Sequence, residues 1–441
     1  MTPSARLATT IEALTEIRHT PRPADTVMSA FFRARRFIGA KDRAAIADAI
    51  YRILRGEARL GWWLETHETE IDGRSLALAD LLLHGQLSFD VLDKLCSGGR
   101  YGADRISGLE ENWARKLATH TLDHPKMPLQ VRLECPDWAW EKMQAAFDDR
   151  TEEVLGAMLT HAPLDLRVNT LKADRDTLLV EMKKLSWRIE KTRYAPEGMR
   201  LLGRPNLNAH KALSTGLAEI QDEGSQLVAL AVAAKPGMRV LDFCAGAGGK
   251  TLAMAADMKN KGRIVACDVL EGRLKKALLR FRRAGAHNIE IQPITSESDP
   301  WLKRHKQSFD RVLVDAPCSG AGTWRRNPDA RWKNLGPGLD ELLKTQAAIL
   351  DSAARLVKAG GRLIYATCSL LPDENQGQVS AFLERHADYK LVPVADIWAE
   401  NNYANLPEGA DDMLTLDPAR HQTDGFFAAV LERNGSVTES A

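Results

Sequence analysis

The 441-residue chain is short of several things, and each shortage narrows what it does. No apolar run approaches the ~18–20 residues needed to span a bilayer; Leu227 to Ala234 comes nearest and is far too short. The N-terminus, MTPSARLATTIEAL, lacks the continuous apolar stretch of a secretory leader. Both absences predict a cytoplasmic protein with no membrane partner. The six cysteines, Cys96, Cys135, Cys244, Cys267, Cys318 and Cys368, include no Cys-x-x-Cys pair, which argues against a zinc ribbon or a thioredoxin-type site, so no metal is expected. Six in 441 residues are also too sparse for a disulfide framework. Net charge is scarce: 60 Lys and Arg face 59 Asp and Glu, leaving +1, which neither demands nor excludes nucleic acid. Internal repeats and low-complexity tracts are missing, and nothing calls for more than a monomer.

What is present divides along the chain. Residues 1–128 place apolar side chains at helical spacing, as in Ala44-Ile46-Ala49-Ile50-Ile53-Leu54 and Leu76-Leu78-Leu81-Leu82, which predicts an all-helical domain. Arg33, Arg35, Arg36, Lys41 and Arg43 make it locally basic, and the proline-bearing HPKMPLQVRLECPDW reads as a connection. Residues 129–221 mix short helices and strands, an α+β insert. Residues 222–433 alternate helices with the strands MRVLDFC, GRIVACDV, NIEIQPI, FDRVLVDAP, GRLIYATCS and FFAAVLER. That alternation predicts an α/β domain with a doubly wound, parallel-rich, Rossmann-like sheet. A helix from Leu339 to Val357 is expected to stop at Gly360-Gly361. Residues 434–441 read as a tail.

The turn after the first of these strands reads Cys244-Ala245-Gly246-Ala247-Gly248-Gly249-Lys250-Thr251. A phosphate-binding P-loop needs a glycine five residues before the Gly-Lys-Thr, and Cys244 stands there. A Rossmann-like ligand turn fits better, with Gly246, Gly248 and Gly249 letting the backbone approach a ligand. Asp268 lies 20 residues beyond Gly248, where an acid that holds ribose hydroxyls belongs. A dinucleotide and S-adenosylmethionine both satisfy this spacing. Two cysteines stand at strand carboxyl ends, Cys318 in Asp315-Ala316-Pro317-Cys318-Ser319-Gly320 and Cys368 in Ala366-Thr367-Cys368-Ser369. The expected geometry brings both thiols and Asp315 into one cleft beside the cofactor, and residue chemistry alone does not rank the two as nucleophile.

These segments resemble the RsmB/NOP/Sun family of RNA cytosine-C5 methyltransferases. The resemblance rests on CAGAGGKT, DAPCSGAGTWRRNPDARW, GGRLIYATCSLLPDENQ, EIQDEGSQ at Glu219–Gln226 and PLDLRVNTLKA, over roughly residues 160–430. The helical front is similar, more loosely, to the NusB-like RNA-binding domain of the bacterial members that modify 16S rRNA. The resemblance implies S-adenosylmethionine as cofactor, held by Cys244, Ala245, Gly246, Ala247, Gly248, Gly249 and Lys250 with Asp268 and Asp315. It implies Cys368 as the nucleophile, Cys318 as the aid to product release, and Asp315 as the group facing the cytosine ring near N3. Cytosine C5 is a poor nucleophile; thiolate attack on C6 makes it electron-rich, which is why such chemistry calls for a cysteine. The family commonly has proline at the place of Ala247 and an acid at the end of the third strand. Here that end offers Thr295, Ser296 and, further on, Asp299.

The implied substrate is RNA: 16S rRNA first, because of the helical front, with tRNA as the alternative and a catalytically inactive ribosome assembly factor as another. In the helix Gly272 to Ala284, Leu274, Ala277, Leu278 and Phe281 share a packing face, while Arg273, Lys276, Arg280 and Arg283 share a face open to phosphates. Arg325, Arg326 and Arg331 follow the Cys318 loop and are expected near the reacting base. Trp324 either stacks on an unpaired base or packs into the loop core. Arg167 and Asn169 lie on a motif near the family's RNA path.

Overall fold

Local capping chemistry starts the helices of the N-terminal half. In the computed structural model, which describes residues 1–184, 187–203, 211–333 and 335–435, Thr2 caps helix Pro3–Arg18 by accepting from Ala5 N, and proline fills a first-turn position that needs no donor. Helices Gly73–Leu83 and Gly108–Leu117 open with reciprocal capping boxes, Asp72 with Ser75 and Ser107 with Glu110. With Ala24–Ala34, Ala40–Arg55 and Glu57–Thr66 they bury Leu14, Ile17, Ile46, Ile50, Leu64 and Leu78. Of the residues spaced over 44–54, Ile46, Ile50, Ile53 and Leu54 form the inward face, while Ala44 is exposed. No helix among the described residues is long and apolar enough to cross a membrane.

Packing divides the chain into two units. The first holds residues 1–161 and Trp324–Pro337; the second holds residues 162–323 and the chain from Gly338 onward. The division by packing falls after His161. Helices Asp137–Phe147 and Thr151–Ala157 fall in the first of these units. From residue 436 the expected tail lies outside the described residues.

The segment Trp324–Pro337 corrects one expectation. Trp324 is 0% exposed, edge-on to Trp138 with ring centroids 6.0 Å apart, and the Arg331 guanidinium lies 5.4 Å from its ring centre. Asp329 accepts from Ala24 N at 2.8 Å, capping a helix whose own N-cap, Pro23, offers no side-chain acceptor. Arg331 donates to Met158 O at 3.2 Å, and burial pushes its guanidinium down to about 10 against the pull of Glu134. Arg325 is buried in the same unit. Trp324 therefore does not stack on a base, and Arg325 and Arg331 do not face phosphates. The large apolar surface of an indole and two guanidinium stems is better kept from water.

The second unit carries two sheets. Strands β1 (Leu164–Val168), β2 (Ile189–Lys191), β3 (Gly198–Leu201) and β4 (Ala218–Ile220) form an antiparallel sheet ordered β2-β3-β1-β4. The larger sheet holds β5 (Arg239–Asp242), β6 (Arg263–Asp268), β7 (Ile289–Pro293), β8 (Phe309–Asp315), β9 (Val357–Thr367), β10 (Tyr389–Val392), β11 (Leu414–Leu416) and β12 (Phe426–Arg433). Its order is β10-β12-β9-β8-β5-β6-β7, with β11 beside β12. Pairings from β7 through β9 are parallel, and those of β12 are antiparallel. Core residues of β5, β8 and β9 are buried, hence their near-continuous apolar runs. All six expected strands are present; the short β10 and β11 escaped notice. Gly360-Gly361 does not stop a helix. Helix Leu339–Ala354 ends earlier, and the two glycines lie inside β9, where Gly360 takes φ +72° beside an irregularity in the β8–β9 register. The order reverses between β5 and β8, so their carboxyl ends flank the crevice in which open α/β sheets bind ligands.

Candidate active site

The turn leaving β5 is tied down on every side. Phe243 N donates to Leu313 O and Ala245 N to Cys267 O, both at 2.8 Å, lacing the turn to β8 and β6. Gly246 (φ +55°) and Gly248 (φ +77°) occupy the left-handed region, and Gly248 is the N-cap of helix Gly249–Asp257. A Cβ on Gly248 would lie 2.4 Å from Phe281 Cε1, so close helix packing, besides any ligand, demands the glycine. Thr251, which had no reading from sequence, donates to Asp242 Oδ2 at 2.7 Å. Burial pushes Asp242 up to about 7, Thr251 opposes the rise, and the charge of Asp315 adds to it.

Asp268 closes the other side. Its Oδ2 accepts from Gly246 N at 2.8 Å and its Oδ1 from Leu270 N at 2.7 Å. Each oxygen keeps a further lone pair, so a carboxylate held by the turn can still accept from a vicinal diol. The exposed aliphatic side chains of Val269 and Leu270 follow it. A glycine-built turn at a helix start, an oriented acid and adjacent apolar surface suit a nucleoside-bearing cofactor. At the end of β7, Thr295 N and Oγ1 both donate to Asp299 Oδ2 at 2.9 Å, and Asp299 Oδ1 caps the next helix through Trp301 N. Ser296 Oγ meets Ser298 Oγ at 2.9 Å.

The carboxyl ends of β8 and β9 bring the two thiols together: Cys318 Sγ lies 3.4 Å from Cys368 Sγ. The Cys318 thiol is pushed well above its ordinary range, first by the hydrogen bond to Cys368, then by burial, with the charges of Cys368 and Glu374 adding. The other four cysteines are packing residues. Burial pushes Cys96 to about 11 and Cys135 to about 12, and raises Cys244 and Cys267 as well. Lys250 Nζ meets Asp315 Oδ2 at 2.6 Å. Burial opposes the Lys250 charge, but pairing with Asp315 carries its ammonium above the usual value.

Glu374 was missed from sequence. It is 0% exposed and accepts from Ser319 N at 2.8 Å, Ser319 Oγ at 2.5 Å, Gln346 Nε2 at 3.0 Å and Ser369 Oγ. The available signal was its place in ATCSLLPDENQ, six residues after Cys368.

Other expected contact residues are committed elsewhere. Arg280 and Arg283 both pair with Glu219, at 2.9 and 2.6 Å, and Arg280 also donates to Ala247 O. That leaves Lys276, and Arg273 against Gly246, on the basic face. Leu274, Ala277 and Phe281 are buried as expected, with Leu278 half-buried. Arg167 Nε donates to Gln221 Oε1 at 2.6 Å, and Asn169 Nδ2 to Gly216 O and Ala284 O; both residues are buried, tying β1 to the segments flanking β4 and to the end of helix Glu271–Ala284, and so do not meet RNA. Glu223 likewise accepts from Tyr194 N, Ala195 N and Arg200. The stretch Glu219–Gln226 is therefore a structural clasp.

The chain is similar to known proteins. The profile of the family described as 16S rRNA methyltransferase RsmB/F matches residues 229–432, and that of the RsmF/B-like ferredoxin-like domain matches residues 135–208. The chain is 34% identical over 322 residues to a Synechocystis sp. protein named "Probable ribosomal RNA small subunit methyltransferase B", covering 73% of this chain and 71% of that one. The crystal structure of PH0851 superposes with a TM-score of 0.78 at 26% identity, over 98% of this chain and 99% of that one. A methyltransferase homolog protein from Pyrococcus horikoshii superposes with a TM-score of 0.58 at 29% identity, over 69% and 97%.

Proposed function

The chain belongs to the 16S rRNA methyltransferase RsmB/F family, and from that premise we propose that it forms 5-methylcytosine in 16S rRNA through a covalent cysteine adduct at cytosine C6. It is an RNA methyltransferase that uses S-adenosylmethionine. When bound, that cofactor supplies an electrophilic methyl group. The observation carrying the finer reading is the pair of thiols 3.4 Å apart, one at each of two adjacent parallel strand ends, in the crevice that also holds the Lys250–Asp315 pair.

In this reading, the backbone from Cys244 through Ala245, Gly246, Ala247, Gly248 and Gly249 to Lys250 cradles the cofactor, Asp268 takes its ribose hydroxyls and Asp315 borders it. Cys368 attacks C6 as the thiolate; the Sγ–C6 bond forms and the C5–C6 π pair becomes available at C5. Asp315, oriented by Lys250, accepts a hydrogen bond from N3 as N3 takes up a proton from water while the ring gains electrons, and that proton returns to water when the adduct breaks down. After the methyl group has joined C5, that carbon still carries its proton. Cys368 is now a thioether, so the hydrogen bond that most raised Cys318 is gone. Cys318 gives its proton to water and accepts the one from C5; the C5–H pair re-forms the double bond, and the Sγ–C6 pair returns to Cys368. A paired cytosine is out of reach, so the target base is unpaired or flipped. The NusB-like helical front, residues 1–128, contributes RNA contacts through exposed Arg33, Arg36 and Lys41.

Labelled S-adenosylmethionine offered in parallel with unmodified 16S rRNA and pooled unmodified tRNA tests the reading. Label on rRNA, recovered as 5-methylcytosine, is expected. Label on tRNA alone would move the substrate, and label on another base would end the cysteine mechanism. Cys318→Ala is expected to trap an RNA adduct that survives a denaturing gel.

A further inference from the structure

Two thiols on different strands meet only if something sets the spacing between their loops. Nothing local does this: Cys318 and Cys368 are 50 residues apart in sequence. Glu374 spans that gap. Its Oε1 accepts from Ser319 N and from Gln346 Nε2; its Oε2 accepts from Ser319 Oγ and Ser369 Oγ. Ser319 immediately follows Cys318, and Ser369 immediately follows Cys368. The two hydroxyls also meet each other at 3.2 Å.

The residues preceding each cysteine are held by the same cluster. Gln346 donates to Pro317 O at 3.0 Å. Thr367 Oγ1 donates to Asn375 Oδ1 at 2.6 Å, and Asn375 Nδ2 returns to Ser369 O at 3.0 Å. Tyr365, deep in β9, donates to Glu374 O at 2.6 Å and anchors the turn from below. Both neighbours of both cysteines are thus pinned within one buried cluster.

A carboxylate sunk this far from water can no longer rely on solvation. Four donors converge on it instead, the full capacity of an ionised carboxylate. A glutamine there cannot accept all four. Burying a charge to fix two loops is poor economy for stability alone, since an apolar core packs as well. The arrangement makes sense if the loops must hold their thiols in one geometry.

We propose that Glu374 is a positioning residue that, by gripping Ser319 and Ser369 together, sets the Cys318 and Cys368 thiols face to face. The inference rests on the reading that these cysteines carry the reaction. Its charge has a second effect, raising the proton affinity of Cys318 and so keeping the roles of the two thiols distinct.

The test uses the full chain carrying Glu374→Gln, with Ser369→Ala as a milder second variant. Diamide oxidises two adjacent thiols to a disulfide while being reduced to its hydrazine, and this needs neither RNA nor cofactor. Loss of two maleimide-reactive thiols reads the rate. Cross-linking of Cys318 to Cys368 is expected to slow at least tenfold in Glu374→Gln and less in Ser369→Ala. The kcat for methyl transfer is expected to fall at least tenfold, with KM for S-adenosylmethionine unchanged. In a Cys368→Ser background, Glu374→Gln is expected to move the alkylation of Cys318 by iodoacetamide to lower pH, which a merely structural role would not do. Wild-type cross-linking and kcat in Glu374→Gln would overturn the proposal. Slowed cross-linking with unchanged methyl transfer would leave the positioning intact and overturn the cysteine mechanism instead. If Glu374→Gln does not fold, Ser369→Ala decides by the same two rates.

Discussion

Replacing Gly248 with alanine separates two reasons for a glycine in this turn. Left-handed backbone at φ +77° costs an L-residue about 1–2 kcal/mol. The added methyl would stand 2.4 Å from Phe281 Cε1, 2.6 Å from Cζ and 3.2 Å from Ala277 Cβ. Overpacking of that kind costs about 1–3 kcal/mol once neighbours shift. The sum is about 2–5 kcal/mol, a fall in Tm of roughly 4–20 °C for a unit of this size. Thermal unfolding followed by circular dichroism without cofactor measures it. A double-mutant cycle with Phe281→Ala isolates the steric part, for which a coupling of about 1–3 kcal/mol is expected. An unchanged Tm with only cofactor affinity lost would refute the reasoning, because the ligand and not Phe281 would then require the glycine. Zero coupling would refute it equally.

Cys368→Ala is expected to abolish methyl transfer while S-adenosylmethionine still binds, by equilibrium dialysis; retained turnover would remove Cys368 as nucleophile. Asp242 is held near 7 against an ordinary 3.8, so the folded chain keeps a proton that the unfolded chain gives up. Its contribution to stability is present below about pH 4 and lost as pH rises to 7, on the order of 4 kcal/mol. Asp242→Asn is therefore expected to flatten the decline of Tm between pH 4 and 8, and parallel slopes in the two proteins would contradict the assignment. Trp324→Ala is expected to destabilise the helical unit by about 3–5 kcal/mol, read by chemical denaturation; a change below 1 kcal/mol would mean that the indole is not a core residue. Arg331→Lys is expected to leave the salt dependence of RNA affinity unaltered, since the guanidinium faces Trp324 and Met158; a shallower slope would return it to the phosphate-contacting set.

The parts of the site legible in the sequence are those written in local pattern. The glycine turn, the acid 20 residues beyond it and the cysteines after two apolar strands occupy fixed offsets from strand ends, and strand ends of a parallel sheet share one edge. Once the alternation of strands and helices was read, Asp268, Asp315, Cys318 and Cys368 had to lie on that edge. Side-chain partners were not legible in the same way. A basic helix face looks identical whether it meets phosphates or, as with Arg280 and Arg283, a single Glu219 some 60 residues earlier.

Sequence by itself determined the helical front, the doubly wound sheet, the direction of its binding edge and the residue types at that edge, because periodicity and turn chemistry act over a few residues. Tertiary structure alone decided that Trp324 and Arg331 enter the core of the helical unit, that Gly248 makes room for Phe281, and that Glu374 ties the two cysteine loops together. Each of those outcomes depends on which distant segments arrive within a hydrogen bond or a van der Waals contact of one another. That proximity is set when the apolar faces pack, and no local offset along the chain encodes it.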